Sequence, residues 1–176
     1  MAKNVTDERL YINKFSNHIT YKEMWSNDRA DIPYDVLFNA HETAKHFETI
    51  RHYAGSQPIT ITSFWRSEQY NKKVGGAKNS QHLLGKAIDM MHNYKTASQL
   101  CVIILDLIER NHIPDGGVGL YLNRNAEFVH YDWREERSRW CDFRTSKEIK
   151  DGVRISQAAA WVDQEKRNKL IPKGFL

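Results

Sequence analysis

The feature that most constrains the fold is a pair of potential metal ligands, His82 and Asp89, with a third, His130, far downstream. Two imidazoles and one carboxylate can hold a zinc ion, and three protein ligands leave one coordination position open, as in catalytic sites. A chain that uses these residues together must bring two distant segments to one point. Taken alone, the spacing also allows a plain loop histidine and a salt-bridged core aspartate.

The hydrophobic pattern predicts an α+β domain, a small antiparallel sheet with helices packed on it. Apolar residues at helical spacing after Pro33, ended by Gly55, predict a long helix, and capping-box patterns begin at Thr20 and Thr96. A short helical turn is expected at 68–73, and strands are expected at 59–65, 86–91, 118–122 and 127–133. The last two strands would form an antiparallel hairpin around residues 123–125.

The 176 residues, 40% hydrophobic and 27% charged, are enough for one globular domain with a real core. We expect residues 1–140 to form this domain, including an N-terminal helical segment, and residues 141–176 to form a basic extension with a helix over 155–170. From Arg134 onward there are 11 Lys/Arg against 7 Asp/Glu. This tail suits an anionic or docking partner, or is a solvated face. Neither helix-turn-helix nor zinc-finger spacing is found, which disfavours nucleic acid.

The chain has no run of about 20 apolar residues, the length that crosses a bilayer, so no membrane insertion is expected. Its first residues, MAKNVTDERL, lack the apolar core of a signal peptide. We therefore expect a chain that is made and released in the cytoplasm, or one that leaves it by a route that needs no signal. Cys101 and Cys141 have no CxxC partner, so neither is expected to bind zinc.

Three separated blocks carry a family resemblance. The central block is Ser80-x-His82-x-x-Gly85-x-Ala87-x-Asp89, and the block before it is Thr62-Ser63-Phe64-Trp65-Arg66-Ser67. The closing block is Gly117-Val118-Gly119-x-Tyr121 with Phe128-Val129-His130-x-Asp132-x-Arg134. Together, over residues 15–134, they resemble the zinc D-Ala-D-Ala carboxypeptidases, which share their fold with the hedgehog signalling domain. The closing block is similar to the branch found in bacterial and phage cell-wall peptidases. Trp65 stands where that family usually has a tyrosine.

The resemblance implies a role for each matching residue. His82, Asp89 and His130 would be the zinc ligands, and Glu127, three residues before the last ligand, would be the general base. Arg66 matches an arginine that holds the substrate carboxylate or polarises its carbonyl. Ser80 matches a residue that supports the site or touches substrate. Beyond these matches, we expect Trp65 and Tyr121 to line the substrate groove, although the tryptophan also suits the core.

The position of the base is not settled by the sequence. On a regular strand, residues 127 and 130 face opposite sides, whereas His130 and Asp132 share a side. Either the strand bulges before His130, or Asp132 is the catalytic acid nearer the metal. Asp132 could instead orient His130 or form a structural ion pair with Arg134.

These residues and the resemblance together imply a zinc-dependent peptidase that hydrolyses amide bonds in the peptide stems of peptidoglycan, either as a carboxypeptidase or as an endopeptidase. For such a protein, the lack of a signal-peptide core fits a phage lysin that leaves the host cytoplasm through a holin-type membrane lesion, or an enzyme carried on a virion. It also fits a bacterial cytoplasmic or prophage-encoded protein. The alternative is a non-catalytic module, in which zinc stabilises the fold and the protein docks to a phage or cell-wall assembly.

Overall fold

The computed structural model describes residues 14–25, 27–122, 127–144 and 172. The α-helices are α1 (Tyr21–Met24), α2 (Tyr34–Tyr53), α3 (Glu68–Lys73) and α4 (Ala97–Glu109). The strands are β1 (Ile59–Ser63), β2 (Ala87–His92), β3 (Gly117–Tyr121), β4 (Phe128–Asp132) and β5 (Ser138–Asp142). Within these residues no helix combines the length and the apolar character that a membrane span requires.

Helix boundaries follow the local chemistry that the sequence predicted. At α1, the Thr20 backbone N–H donates to Glu23 Oε2 at 2.8 Å, and Glu23 N–H donates to Thr20 Oγ1 at 3.3 Å. At α4 the same reciprocal pair joins Thr96 and Gln99. These side chains satisfy backbone groups that the first helical turn leaves without a partner. After α2, Gly55 has a φ of +97°, a conformation that a residue with a Cβ rarely adopts.

The five strands form one sheet in the order β1-β2-β4-β3-β5. The first four pair antiparallel, as predicted, and β3 and β4 are the predicted hairpin strands. Strand β5 was not predicted; it pairs parallel to β3 at the edge. It continues to Asp142, across the boundary that the sequence suggested after residue 140. The turn at 123–125 and the helix at 155–170 lie outside the described residues, as does most of the predicted extension.

One face of the sheet is buried beneath α2 and α4. Side chains of successive strand residues point to opposite faces. The core face carries residues that are fully buried: Ile88, Met90, Val118, Leu120, Val129 and Tyr131. Helix α4 contacts β2, β3 and β4, and the His46 ring on α2 lies 5.9 Å from the Tyr131 ring. The opposite face, which the helices leave uncovered, carries the polar residues described next.

Candidate metal centre

A single row of cross-strand neighbours places the candidate ligands. Asp89 on β2 pairs with His130 on β4, which pairs with Gly119 on β3, which pairs with Trp140 on β5. His82 joins this row from a short 3₁₀ turn, Gln81–Leu84, directly before β2. The turn ends at Gly85 with a φ of +70°, which lets the chain reverse into the strand.

The three predicted ligands converge on one point. His82 Nε2 lies 3.2 Å from His130 Nδ1 and 3.2 Å from Asp89 Oδ1, and His130 Nδ1 lies 2.8 Å from Asp89 Oδ1. Donor atoms around a tetrahedral zinc ion at about 2.0–2.1 Å stand about 3.3 Å from one another. The spacing of these atoms therefore fits zinc without a large movement of any side chain.

Hydrogen bonds on the far side of each imidazole fix which nitrogen faces the centre. His82 donates from Nδ1 to the Phe64 carbonyl oxygen. His130 donates from Nε2 to Asp132 Oδ2 at 2.8 Å. In the neutral rings, the lone pairs of His82 Nε2 and His130 Nδ1 then face Asp89 Oδ1. A cation is the partner that such converging acceptors need. Among the described residues, these three form the only group of His, Cys, Asp and Glu side chains that could hold a metal ion.

All three ligands are buried, and their pKa values respond to one another. Burial lowers the pKa of His82, and Asp89 opposes this only in part. Burial also lowers the pKa of His130, but hydrogen bonds to Asp132 and Asp89 outweigh it and raise that pKa overall. The pKa of Asp89 is held far below its usual range, against the effect of burial, mainly by His82 and His130. The Asp89 side chain is therefore negatively charged at neutral pH.

Arg66 holds one of the ligands. Its Nη2 donates to Asp89 Oδ2 at 2.6 Å, and its Nε donates to Ser63 Oγ at 2.7 Å. Asp89 thus uses Oδ1 toward the two histidines and Oδ2 toward the guanidinium. This contact keeps one carboxylate oxygen directed at the metal position.

Asp132 is the residue behind His130. Its exposure is 0%, and besides His130 it accepts hydrogen bonds from the Gly117 backbone and from the backbone and side chain of Arg134. The pairing of β4 is continuous from Phe128 to Asp132 with β3 and from Val129 to Asp132 with β2, so β4 has no bulge before His130. The sequence left open whether Asp132 orients His130 or forms an ion pair with Arg134. In the structure it makes both contacts.

An open cleft of about 520 Å³ lies over the centre. Ser80 and Tyr121, both predicted to touch substrate, line it, and so do the guanidinium groups of Arg66, Arg134 and Arg144. Among the described residues that line the cleft, Asp89 is the only one with a carboxylate. Glu127 immediately precedes β4, is half-buried and is not among the lining residues; its role as the base stays a prediction.

Trp65 lies apart from this cleft. Its side chain is 4% exposed and belongs to the hydrophobic core, where it lines a second cavity of about 500 Å³ with Trp25 and Tyr70. The core placement that the sequence also allowed is the one observed. The physical reason is that Trp65 follows β1 toward α1, where the Trp65 backbone N–H bonds the Met24 carbonyl.

Two residues of the site gave little signal in the sequence. Trp140 lies on the unpredicted strand β5, with its ring 5.1 Å from the His130 ring and 5.6 Å from the Arg134 guanidinium carbon. Gly119 sits between Trp140 and His130 on the sheet. The Gly-x-Gly of the closing block was visible in the sequence, but only the register of β5 shows what it accommodates.

The fold and the centre together define a candidate metal-binding protein: two imidazoles and a carboxylate converge on one face of the sheet, beside an open cleft. A family model described as Peptidase M15 matches residues 16–132. This chain therefore belongs to the M15 peptidase family. A zinc D-Ala-D-Ala carboxypeptidase of Streptomyces albus G is 42% identical over 79 residues, which is 42% of this chain and 31% of that protein. The match thus spans about a third of that relative's length, and the donor set of this chain fits a zinc ion.

Proposed function

We propose that this protein is a zinc peptidase that hydrolyses amide bonds in the peptide stems of bacterial peptidoglycan. The observation that carries the proposal is the convergence of His82, Asp89 and His130 at the floor of an open cleft. A buried structural zinc needs no such opening, whereas a catalytic one does. The volume of the cleft, about 520 Å³, suits a short peptide.

Each residue of the site has a separate task in this proposal. His82, Asp89 and His130 would hold a zinc ion, which would supply Lewis acidity toward the amide carbonyl. Asp132 keeps the proton of His130 on Nε2, and Arg66 keeps Asp89 turned toward the ion. Glu127 is proposed to take the proton from the attacking water and to return it to the leaving amine. Ser80 and Tyr121 would contact the peptide in the cleft.

The substrate proposal is more specific than the family. The Streptomyces relative is named for D-Ala-D-Ala, and the closing block of this chain resembles the cell-wall peptidase branch. We infer that the scissile bond lies in a stem peptide, in a free stem or in a cross-link. A phage lysin or a virion-borne enzyme is the setting we propose.

The test is mass spectrometry of purified peptidoglycan fragments after incubation with the protein. We expect new amino and carboxyl termini that disappear with a chelator and return with added zinc. His82→Ala should abolish cleavage, while His112→Ala, which removes an exposed histidine elsewhere, should not. Chelator-independent cleavage, or none with zinc supplied, would refute the proposal.

One observation favours the alternative of a zinc-stabilised docking module: the described lining of the cleft has no carboxylate besides the ligand Asp89. Glu127→Gln separates the two functions, since an enzyme should lose cleavage and keep its metal. In a docking module, binding to the assembly through residues 141–176 should survive the same change.

A further inference from the structure

The second cavity, which Trp65 lines, takes no part in the site described so far. It has a volume of about 500 Å³ and shares no lining residue with the cleft over the metal position. Five consecutive residues, 61–65, form one of its walls. Neighbouring residues of a strand point to opposite faces of a sheet. A wall that includes every residue of such a run is therefore made by the edge of the strand, where its backbone lies.

Strand β1 has an outer edge because it stands at the end of the sheet order. In the part of the chain that the structure describes, β2 is the only strand that pairs with it. Directly after β1, the Trp65 backbone N–H donates to the Met24 carbonyl oxygen at 3.2 Å, which closes one end of this edge. An edge strand presents N–H and C=O groups to whatever lies beside it, and the second cavity lies beside β1.

Aromatic side chains held by hydrogen bonds form the opposite part of the lining. Trp25, Trp65 and Tyr70 all line the cavity. The Trp25 Nε1–H donates to the Ala30 carbonyl oxygen at 2.7 Å, and the Asn27 amide donates to the Tyr70 hydroxyl at 2.7 Å. Aromatic rings of this kind combine an apolar body with a polar tip. They suit a pyranose ring, which has an apolar face and a rim of hydroxyl groups.

Charge also distinguishes the second cavity from the cleft. Its lining includes one cation and one anion, Lys22 and Glu23, and so has no net formal charge. The cleft, in contrast, is lined by three arginine side chains and a single carboxylate. A cavity without net charge favours an uncharged ligand over an anionic one.

Only residues 63–66 separate the second cavity from the cleft. Ser63 lines the cavity and accepts a hydrogen bond at 2.7 Å from the Nε of Arg66, which lines the cleft. Phe64 also lines the cavity, and its carbonyl oxygen accepts from the ligand His82. An extended peptide advances about 3.3–3.6 Å per residue, so the first few residues of a stem peptide can cross this wall.

We propose that the second cavity binds an N-acetylated amino sugar of the peptidoglycan glycan strand. The acetamido group has one N–H and one C=O, as a peptide unit does, and it pairs with the outer edge of β1. The pyranose ring lies against the aromatic side chains. This inference rests on the proposed peptidase function for the identity of the polymer. It adds a site that holds the glycan while the attached stem enters the cleft.

The experiment measures binding of sugars that carry no peptide. The probe is chitotriose, the β-1,4-linked trimer of N-acetylglucosamine, and the matched probe is cellotriose, which has the same linkage and no acetamido group. NMR titration of the zinc-loaded protein gives both dissociation constants. We expect chitotriose to bind about tenfold or more tighter, because only its acetamido groups can pair with the strand edge. Tyr70→Ala should weaken chitotriose binding by about tenfold, because it removes an aromatic face.

Tyr94→Ala is the matched control, because Tyr94 is 75% exposed and lines neither the second cavity nor the cleft. It should bind chitotriose as the wild type does. Asn27→Ala is a second variant, at an exposed position, and it should weaken binding severalfold because the Tyr70 hydroxyl loses its donor. Zinc affinity equal to that of the wild type shows that each variant is folded.

Equal affinities for the two trisaccharides, or unchanged chitotriose binding in both Tyr70→Ala and Asn27→Ala, overturn the inference. Tighter binding of acetylated tetra-alanine than of chitotriose also overturns it, since an exposed strand edge can accept an extended peptide. The two proposals fail separately. Chitotriose binding without cleavage of peptidoglycan fragments refutes the peptidase function and supports the sugar site, whereas cleavage without chitotriose binding does the reverse.

Discussion

The indole of Trp140 lies against Gly119 so closely that a Cβ on the glycine would stand 2.5 Å from the indole Cζ2 and Nε1 atoms. This distance is shorter than the non-bonded contacts that Cβ atoms make in proteins. The missing side chain of Gly119 lets the indole cross β3 and reach the His130 ring. At the other end of β3, a Cβ on Gly117 would stand 2.7 Å from Asp132 Cγ. Both glycines make room for groups that support the same ligand.

Gly119→Ala should therefore displace Trp140. We expect it to lower the free energy of unfolding by about 1–3 kcal/mol, the usual cost of overpacking, and to weaken zinc binding as the His130 environment changes. Chemical denaturation and zinc titration measure the two effects. Adding Trp140→Leu should relieve the clash, so that the double variant loses less stability than the two single losses predict. Strict additivity would contradict the contact.

Asp132→Asn should weaken the metal site while leaving the ligands in place. The asparagine amide can turn its NH₂ group toward His130, and it lacks the negative charge that holds the proton on His130 Nε2. Changes of this kind typically lower metal affinity by about 10–100-fold. Competition with a zinc-binding dye measures the loss. Asp142→Asn is the matched control, because Asp142 binds Arg144 with the same pattern of bonds. Equal losses in both variants would argue against a specific role for Asp132.

Arg66→Gln tests whether this arginine serves the metal or the substrate. The hydrogen bond to Asp89 predicts a loss of zinc affinity of about tenfold together with a lower kcat. Ser63→Ala, which removes only the partner of Arg66 Nε, should have a smaller effect of the same kind. Unchanged zinc affinity with a raised KM would instead assign Arg66 to substrate binding, the other role that the family resemblance implies.

Glu48 links the segment before α1 to helix α2. It accepts hydrogen bonds from Ser16 Oγ at 2.6 Å and from the His18 backbone at 2.9 Å, and its Oε2 lies 2.6 Å from His18 Nδ1. Burial alone would raise the pKa of Glu48, but these contacts outweigh it and lower the pKa overall. A carboxylate with a depressed folded-state pKa stabilises the fold above its ordinary pKa, and this contribution disappears as pH falls through the folded value.

Glu48→Gln should consequently lower stability at neutral pH by less than about 1 kcal/mol, since solvent screens the pair. The difference from wild type should shrink as the pH falls below about 4. Urea denaturation across pH measures it. Glu42→Gln, on the same helix, removes an ion pair with Lys45 and should leave the pH profile of the wild type intact. A constant difference at every pH would contradict the assignment.

The sequence predicted the candidate ligands but not the atoms that would face a metal ion. His82, Asp89 and His130 could be chosen because their residue types and blocks indicate zinc. Which nitrogen of each ring faces the ion depends on the Phe64 carbonyl and on Asp132, and those contacts exist only after the chain folds. We considered a bulge before His130 because only a bulge would turn Glu127 toward the same face of the strand as His130. The regular register of β4 contains no such bulge.

Strand β5 escaped prediction for a local reason. It follows a charged run at 134–137 and carries Arg139 and Asp142, so it has no clear apolar alternation. Strand β5 forms because its backbone pairs with β3, to which it runs parallel. The sheet order, and therefore the wall of the cleft, depended on a partner that the local sequence does not reveal.

Strand β5 also lies after the family match, which ends at residue 132, and so do Arg134 and Arg144. The candidate metal ligands thus lie within the family match, whereas several residues that line the cleft follow it in the sequence. Changes in the later segment should therefore alter what the cleft binds, and a change at Trp140 should also alter the surroundings of His130.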